Sequence, residues 1–226
     1  MKHKIPLCIF LIIIIFLSTI SNKSNNYEIL TNQNKIILIG DSMLENSNYV
    51  KKPVAYNIEK LHGSAPTILA TDGATINHLP FQLRNLETSN PKSHTKSNSN
   101  PNNNNPNTYI FTSIGGNDIL ENSTSTTPPS TSTMNNIFDR YKAAIKGMKK
   151  RFNKSKIVLL NIYYPPEKAY LHDVVALWNK KQAKFAKDIK CQILDVTSLN
   201  QAKDFTDKIE PSLLGSKKIA KKIINF

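Results

Sequence analysis

The chain predicts an α/β fold: a three-layer α/β/α sandwich around a parallel five-stranded sheet. Three observations carry this. Five short apolar runs, at 35–39, 67–70, 108–114, 156–162 and 192–196, have the length and the β-branched or aromatic content of buried strands. Segments with apolar residues at helical spacing separate them, and strands alternating with helices give a parallel sheet covered on both faces. Glycine-bearing turns stand at three of the strand ends, at Gly40, Gly73 and Gly115-Gly116. At 226 residues the chain has the size of one such domain with a sizeable core.

The elements follow in order. Met1-Lys2-His3-Lys4 is basic, Ile5 to Leu17 is almost wholly apolar, and Ser18-Thr19-Ile20-Ser21 is small and polar. That is the layout of a secretory signal, with an apolar core shorter than the roughly 20 residues of a full span. Residues 1–21 are therefore expected to be a signal peptide or signal anchor, so that the protein is exported or membrane-anchored through this segment. Residues 22–34 form a polar lead-in, and 35–226 the folded domain. After the first strand, Pro53 to Leu61 carries Val54, Ile58 and Leu61 at helical spacing, and Ile76 to Leu86 resumes it through Leu79 and Leu83. Residues 89–107 are rich in Asn, Ser, Pro and Lys, and 122–133 in Ser, Thr and Pro. Both are expected as low-complexity surface insertions that bury no apolar area. Met134 to Phe152 predicts an amphipathic helix with Ile137, Tyr141, Ile145 and Met148 on one face. Leu171 to Asp188 predicts another, and a terminal helix starts at about Gly215.

The formal net charge is +14, from 30 basic and 16 acidic residues. This favours an anionic surface as partner. The basic residues are scattered among helix-like segments without interleaved aromatics, however, so no specific nucleic-acid recognition is expected. Cys8 lies in the apolar leader and Cys191 far from it, so the fold stands without a disulfide. No cluster of His, Cys or Asp has metal-ligand spacing, and no metal or cofactor is expected.

The chemistry centres on Ile36-Ile37-Leu38-Ile39-Gly40-Asp41-Ser42-Met43, a buried strand that delivers a hydroxyl to the carboxyl edge of the sheet, where open α/β sheets bind ligands. Alone, Gly-Asp-Ser is more often an ordinary turn with a capping serine. The further turns at Asp72-Gly73-Ala74-Thr75 and Gly115-Gly116-Asn117-Asp118 converge on the same edge and favour a nucleophilic Ser42.

These blocks, in this order, resemble the SGNH hydrolases, also called the GDSL esterase/lipase family, over essentially the whole chain after the leader. The resemblance implies a flavodoxin-like SGNH hydrolase fold, Ser42 as nucleophile, and an oxyanion hole from Ser42, Gly73 and Asn117. Met43 stands where Leu is usual. The family's last block, Asp-x-x-His followed by Pro, reads Asp207-Lys208-Ile209-Glu210-Pro211 here. Asp207 matches the acid, but Glu210 stands at the base position. Asn179 and Asp195 also sit where the family often places Asn and Asp, for structural reasons. A glutamate is a weak base, with a reference pKa of about 4.3. Among the histidines, His78 is the best alternative base, because it follows Gly73 on the site side of the sheet. His62 and His172 are expected on the surface.

Two readings follow. In one, the protein is an ester hydrolase acting through Ser42 on an ester-bearing small molecule, lipid or glycan. In the other, it is a catalytically inactive relative that binds an ester-bearing or anionic ligand, because the base position is Glu210.

Overall fold

The computed structural model describes residues 29–88 and 104–226. Strand β1 is Lys35–Gly40, β2 Thr67–Ile68, β3 Thr108–Ser113, β4 Lys156–Leu160 and β5 Gln192–Leu194. They form one parallel sheet in the order β2-β1-β3-β4-β5, the doubly wound order of flavodoxin-like proteins. The order reverses direction at β1, between β2 and β3. The crevice at that switch point lies beyond the ends of β1 and β3, which are paired through Gly40 and Ser113.

The period of two along each strand sorts the core into two layers. Ile37, Ile39, Ile110, Ile157 and Leu159 face one helical layer. It contains α2 (Leu79–Thr88), α4 (Thr131–Arg151) and α5 (His172–Asp188). Ile36, Leu38, Tyr109, Phe111, Val158 and Leu160 face the other, formed by α1 (Val54–His62) and α6 (Leu213–Ile224). Helix α4 buries Ile137, Tyr141, Ile145 and Met148 together with Met134 and Phe138, so the helical spacing read from the sequence is the buried stripe. The lysine pairs 149–150, 180–181, 217–218 and 221–222 all fall within α4, α5 or α6.

Several boundaries differ from expectation. Helix α4 starts at Thr131, because Ser130 accepts a hydrogen bond from the Thr133 N–H and caps it. The Ser/Thr/Pro tract therefore ends inside a helix. The Gly-Gly-Asn-Asp turn opens a short helix, α3 (Gly116–Glu121). Strand β2 is only two residues long, and α6 begins at Leu213, capped by Ser212. A two-stranded antiparallel pair, β6 (Phe205–Thr206) and β7 (Glu210–Pro211), is an element the sequence reading lacks. The lead-in is not wholly polar in its role: Leu30 is buried, and its N–H bonds the Ile224 carbonyl. The end of the first insertion, 104–107, is tied down. Asn104 Oδ1 accepts the Lys154 N–H, and the Asn107 carbonyl accepts the Lys35 N–H.

Export or anchoring through the N-terminal apolar segment is corrected. Among the described residues no helix is long and apolar enough to cross a membrane, and residues 1–21 lie outside them.

Candidate active site

Gly40 ends β1 with φ +126°, and a Cβ there would lie 1.7 Å from the Ser113 carbonyl oxygen. Only glycine permits so close an approach of β1 to β3. Gln82, fully inside the apolar stripe of α2, then clamps this strand end. Its Oε1 accepts the Gly40 N–H and its Nε2 donates to the Gly40 carbonyl, both at 2.8 Å. Asp41 is buried, and its Oδ1 accepts from Ser113 Oγ at 2.6 Å and from the Met43 N–H at 3.1 Å. Burial pushes its carboxyl up to about 7, against the pull of those two hydrogen bonds. The rigid strand end thus sets Ser42 in place.

Ser42 is 7% exposed and Glu210 is 5% exposed. Ser42 Oγ donates a hydrogen bond to Glu210 Oε1 at 3.0 Å. The second carboxylate oxygen, Oε2, is buried without a hydrogen-bond partner among the described residues. Burial is the largest influence on this carboxyl. It is opposed by the Ser42 hydrogen bond and reinforced by the negative charges of Asp72, Asp41 and Asp207, and the group rises to about 7. This brings the carboxyl from the usual glutamate range toward that of histidine, whose reference pKa is about 6.5.

The β6–β7 pair holds Glu210 there. Thr206 pairs with Glu210 and Phe205 with Pro211. The Pro211 carbonyl accepts from Asn46 Nδ2 at 2.9 Å; Asn46 is fully buried, also donates to Ser216 Oγ, and takes the Val54 N–H at the start of α1. Tyr163 Oη donates to the Ile209 carbonyl at 2.7 Å, and its ring packs on Phe205. Asp204, buried and paired with Lys218 at 2.6 Å, anchors the same segment to α6.

Asp207 does not complete a triad. It is exposed, with φ +43°, followed by Lys208 at φ +69°. This left-handed pair makes the turn between β6 and β7. Its side chain makes no hydrogen bond to Glu210 and acts on it only by charge. Two carboxylates do not pair as an imidazole and a carboxylate do, so the hairpin has no reason to bring them together.

Asn117, the second residue of α3, lines the same cleft as Ser42 and Glu210, and its Nδ2 donates to the Ala74 carbonyl at 3.0 Å. That bond joins it to the loop of Gly73, which has φ +69° and open space where a Cβ would stand. Gly73 itself does not line the cleft. Asp118 fixes the two loops: its Oδ2 accepts the Ile76 N–H, and its Oδ1 pairs with Arg140 at 3.0 Å. No acceptor among the described residues takes the backbone N–H of Ser42 or of Gly73.

His78 does not line this cleft. It is exposed, and its Nδ1 takes the Thr75 N–H at 3.0 Å, which caps the 3₁₀ turn Ile76–His78. Two other histidines differ from expectation. His62 is buried, donating from Nε2 to the Thr31 carbonyl and accepting at Nδ1 from Ser64 Oγ. His172 lines the Ser42 cleft with Lys168, and the sequence reading assigned neither to the site. Leu171, His172 and Val175 share a face at the start of α5, and that spacing was the signal for His172; Lys168 lies in the 3₁₀ stretch Pro166–Leu171 with φ −118° and ψ 35°, a kink that spacing does not show. Asn179 donates to the Ile162 carbonyl and accepts the Ile162 N–H, fixing the strand exit that also lines the cleft. Asp195 takes the Asn161 amide and the Thr197 N–H. Among the described residues no group of three His, Cys, Asp or Glu side chains is placed to hold a metal.

A flavodoxin-like parallel sheet with a buried serine at the end of its first strand is the arrangement of SGNH-type α/β proteins; the carboxylate at that serine is this chain's own departure. The chain belongs to the GDSL-like lipase/acylhydrolase family, whose model matches residues 36–223. It is similar in structure to a member of the lipolytic G-D-S-L family from Veillonella parvula, with TM-score 0.64 and 16% identity, covering 84% of this chain and 96% of that one. An acetylxylan esterase from Geobacillus stearothermophilus is similar at TM-score 0.59 and 14% identity, covering 88% and 97%. A phospholipase A1 from Streptomyces albidoflavus is similar at TM-score 0.55 and 13% identity, covering 84% and 97%. No curated protein matches the chain.

Proposed function

We propose that the protein hydrolyses carboxylic esters with Ser42 as nucleophile and Glu210, in place of the family's histidine, as general base. The observation that carries the reading is the 3.0 Å hydrogen bond from Ser42 Oγ to Glu210 Oε1 in a pocket that raises the carboxyl to about 7. Above that pH the carboxylate takes the serine proton as Oγ attacks the ester carbonyl carbon. The negative charge that develops on the carbonyl oxygen is met by the N–H of Ser42 and the amide of Asn117, donors fixed before the substrate arrives; Gly73, the third donor the resemblance implies, stands on the adjoining loop outside the cleft lining. The intermediate collapses, the C–O bond to the alcohol breaks, and Glu210 returns its proton to the leaving oxygen. Water then attacks the acyl-serine, Glu210 takes its proton, and collapse releases the acid and restores the Ser42 hydroxyl.

The apolar lining of Ile119, Leu120, Ile162, Leu171 and Val175 suits an acyl group. Two of the structural neighbours are by name an acetylxylan esterase and a phospholipase A1, which supports an ester-bearing glycan or lipid as the substrate class. Asp207, assigned to the acid role by resemblance, is left without one. The second reading, a binding protein without turnover, is favoured by one observation: among the described residues none hydrogen-bonds Oε2 of Glu210. Turnover of p-nitrophenyl acetate and butyrate by the parent and by Ser42→Ala separates the two. Activity that disappears in Ser42→Ala supports the hydrolase; none in the parent between pH 6 and 9 supports the binding protein.

A further inference from the structure

We propose that the cleft selects esters that carry an anionic group, and that Lys168 is the residue that binds it. The proposal names the substrate class of the site described above and so rests on its being a ligand cleft. Lys168, half-buried, lines a cleft whose wall is otherwise largely apolar. Among the described residues no carboxylate pairs with its ammonium, which lies 5.9 Å from the centre of the Tyr170 ring. The charges that act most on the two buried acids of the same cleft are those of other carboxylates, Asp72, Asp41 and Asp207 on Glu210 and Asp118 on Asp41. A partly desolvated cation without a counter-charge is a binding site for an anion, because the anion restores the solvation that the cleft removes.

Four residues on, His172 donates from Nε2 to the Pro165 carbonyl at 2.9 Å, and the ring of Tyr164 meets it edge-on at 5.4 Å. The imidazole is therefore held in one orientation with Nδ1 as an acceptor, which suits a hydroxyl of the alcohol portion rather than the anion. Lys168 lines the cleft beside the apolar Leu171 and Val175. An ester with an apolar acyl chain and an oxyanion on its alcohol portion, phosphate or carboxylate, suits a wall that offers both.

The test is equilibrium binding to the full chain, which needs no turnover. Phenol, phenyl phosphate and benzoate are titrated into the parent, Lys168→Met and Lys187→Met; Lys187 is exposed near the end of α5, outside the cleft, and controls for net charge. The expected result is that at least one of the two anions binds the parent tighter than phenol and loses about tenfold in Lys168→Met, the size of a charge-assisted contact at a half-exposed site. Lys187→Met keeps parent affinity, and the more affected anion identifies phosphate or carboxylate. The proposal is overturned if neither anion exceeds phenol in the parent, or if Lys168→Met and Lys187→Met weaken binding equally. Failure of the hydrolase reading shows separately, as the absence of Ser42-dependent turnover.

Discussion

Replacing Glu210 by Gln should make the protein more stable at neutral pH while removing its base. Glu210 is 5% exposed and its carboxyl is raised from 4.5 to about 7. The folded state therefore binds this proton more tightly than the unfolded chain does. The sign follows: the stability contributed is fully present below pH 4.5 and is lost as pH rises through about 7. A shift of about 2.5 units at 1.36 kcal/mol each corresponds to about 3 kcal/mol. Glutamine is nearly isosteric, keeps a partner for Ser42 Oγ, and has no such titration. The stability difference between Glu210→Gln and the parent should thus grow by about 3 kcal/mol in favour of the variant between pH 4.5 and pH 8. Asp41, raised from 3.8 to about 7, gives both proteins a similar background slope, and because the two carboxyls interact, part of it shifts with the variant. Urea denaturation at pH 4.5, 6, 7 and 8 with equal m-values measures the difference. A difference that does not change with pH would refute the claim that the pocket holds Glu210 at a cost.

Three further outcomes follow from the same geometry. Asn117→Ala should lower kcat for p-nitrophenyl acetate by about 10²-fold or more, as removal of one preorganised oxyanion donor does, while KM changes less. Gln82→Leu leaves the N–H and carbonyl of Gly40 without their Gln82 partner in the core and should cost about 2–3 kcal/mol in chemical denaturation at pH 6. Asp207→Asn should lower kcat by less than threefold and move the pH midpoint of activity down, because Asp207 touches Glu210 only by charge; a loss of 10³-fold would restore it to a triad.

The fold was legible because its signals are local. Ile36 to Gly40 and Thr108 to Ser113 are runs too apolar to be anything but central strands, and the stripe through Ile137, Tyr141, Ile145 and Met148 has helical period over about three turns. What stayed hidden depends on contacts distant in sequence. Gln82 sits in the stripe Leu79, Leu83, Leu86, where a polar residue is the one sign of a buried hydrogen-bonding task; its partner Gly40 is 42 residues away. The β6–β7 pair is two residues per strand in a segment rich in Lys and Asp, below the length at which alternation can be seen. Met134 looked like a helix start because it is the first apolar residue, whereas the cap at Ser130 decides it. The identity of Glu210 was plain, but its basicity was not, since that belongs to the burial of the carboxyl and to Asp72, Asp41 and Asp207 around it. His172 lines the cleft because the 3₁₀ helix before α5 turns its first residues inward, which residue type alone does not encode.

The central claim is that Glu210 activates Ser42, and covalent labelling of Ser42 by a fluorophosphonate reads it without a choice of substrate. Rates are measured from pH 5 to 9 for the parent, Glu210→Gln and Ser42→Ala. The account predicts a parent rate that rises with pH to a plateau with its midpoint near 7, a Glu210→Gln rate at least about 10²-fold lower without that midpoint, and no labelling of Ser42→Ala. A Glu210→Gln protein that labels at the parent rate, or a parent rate without a midpoint near neutrality, would contradict it.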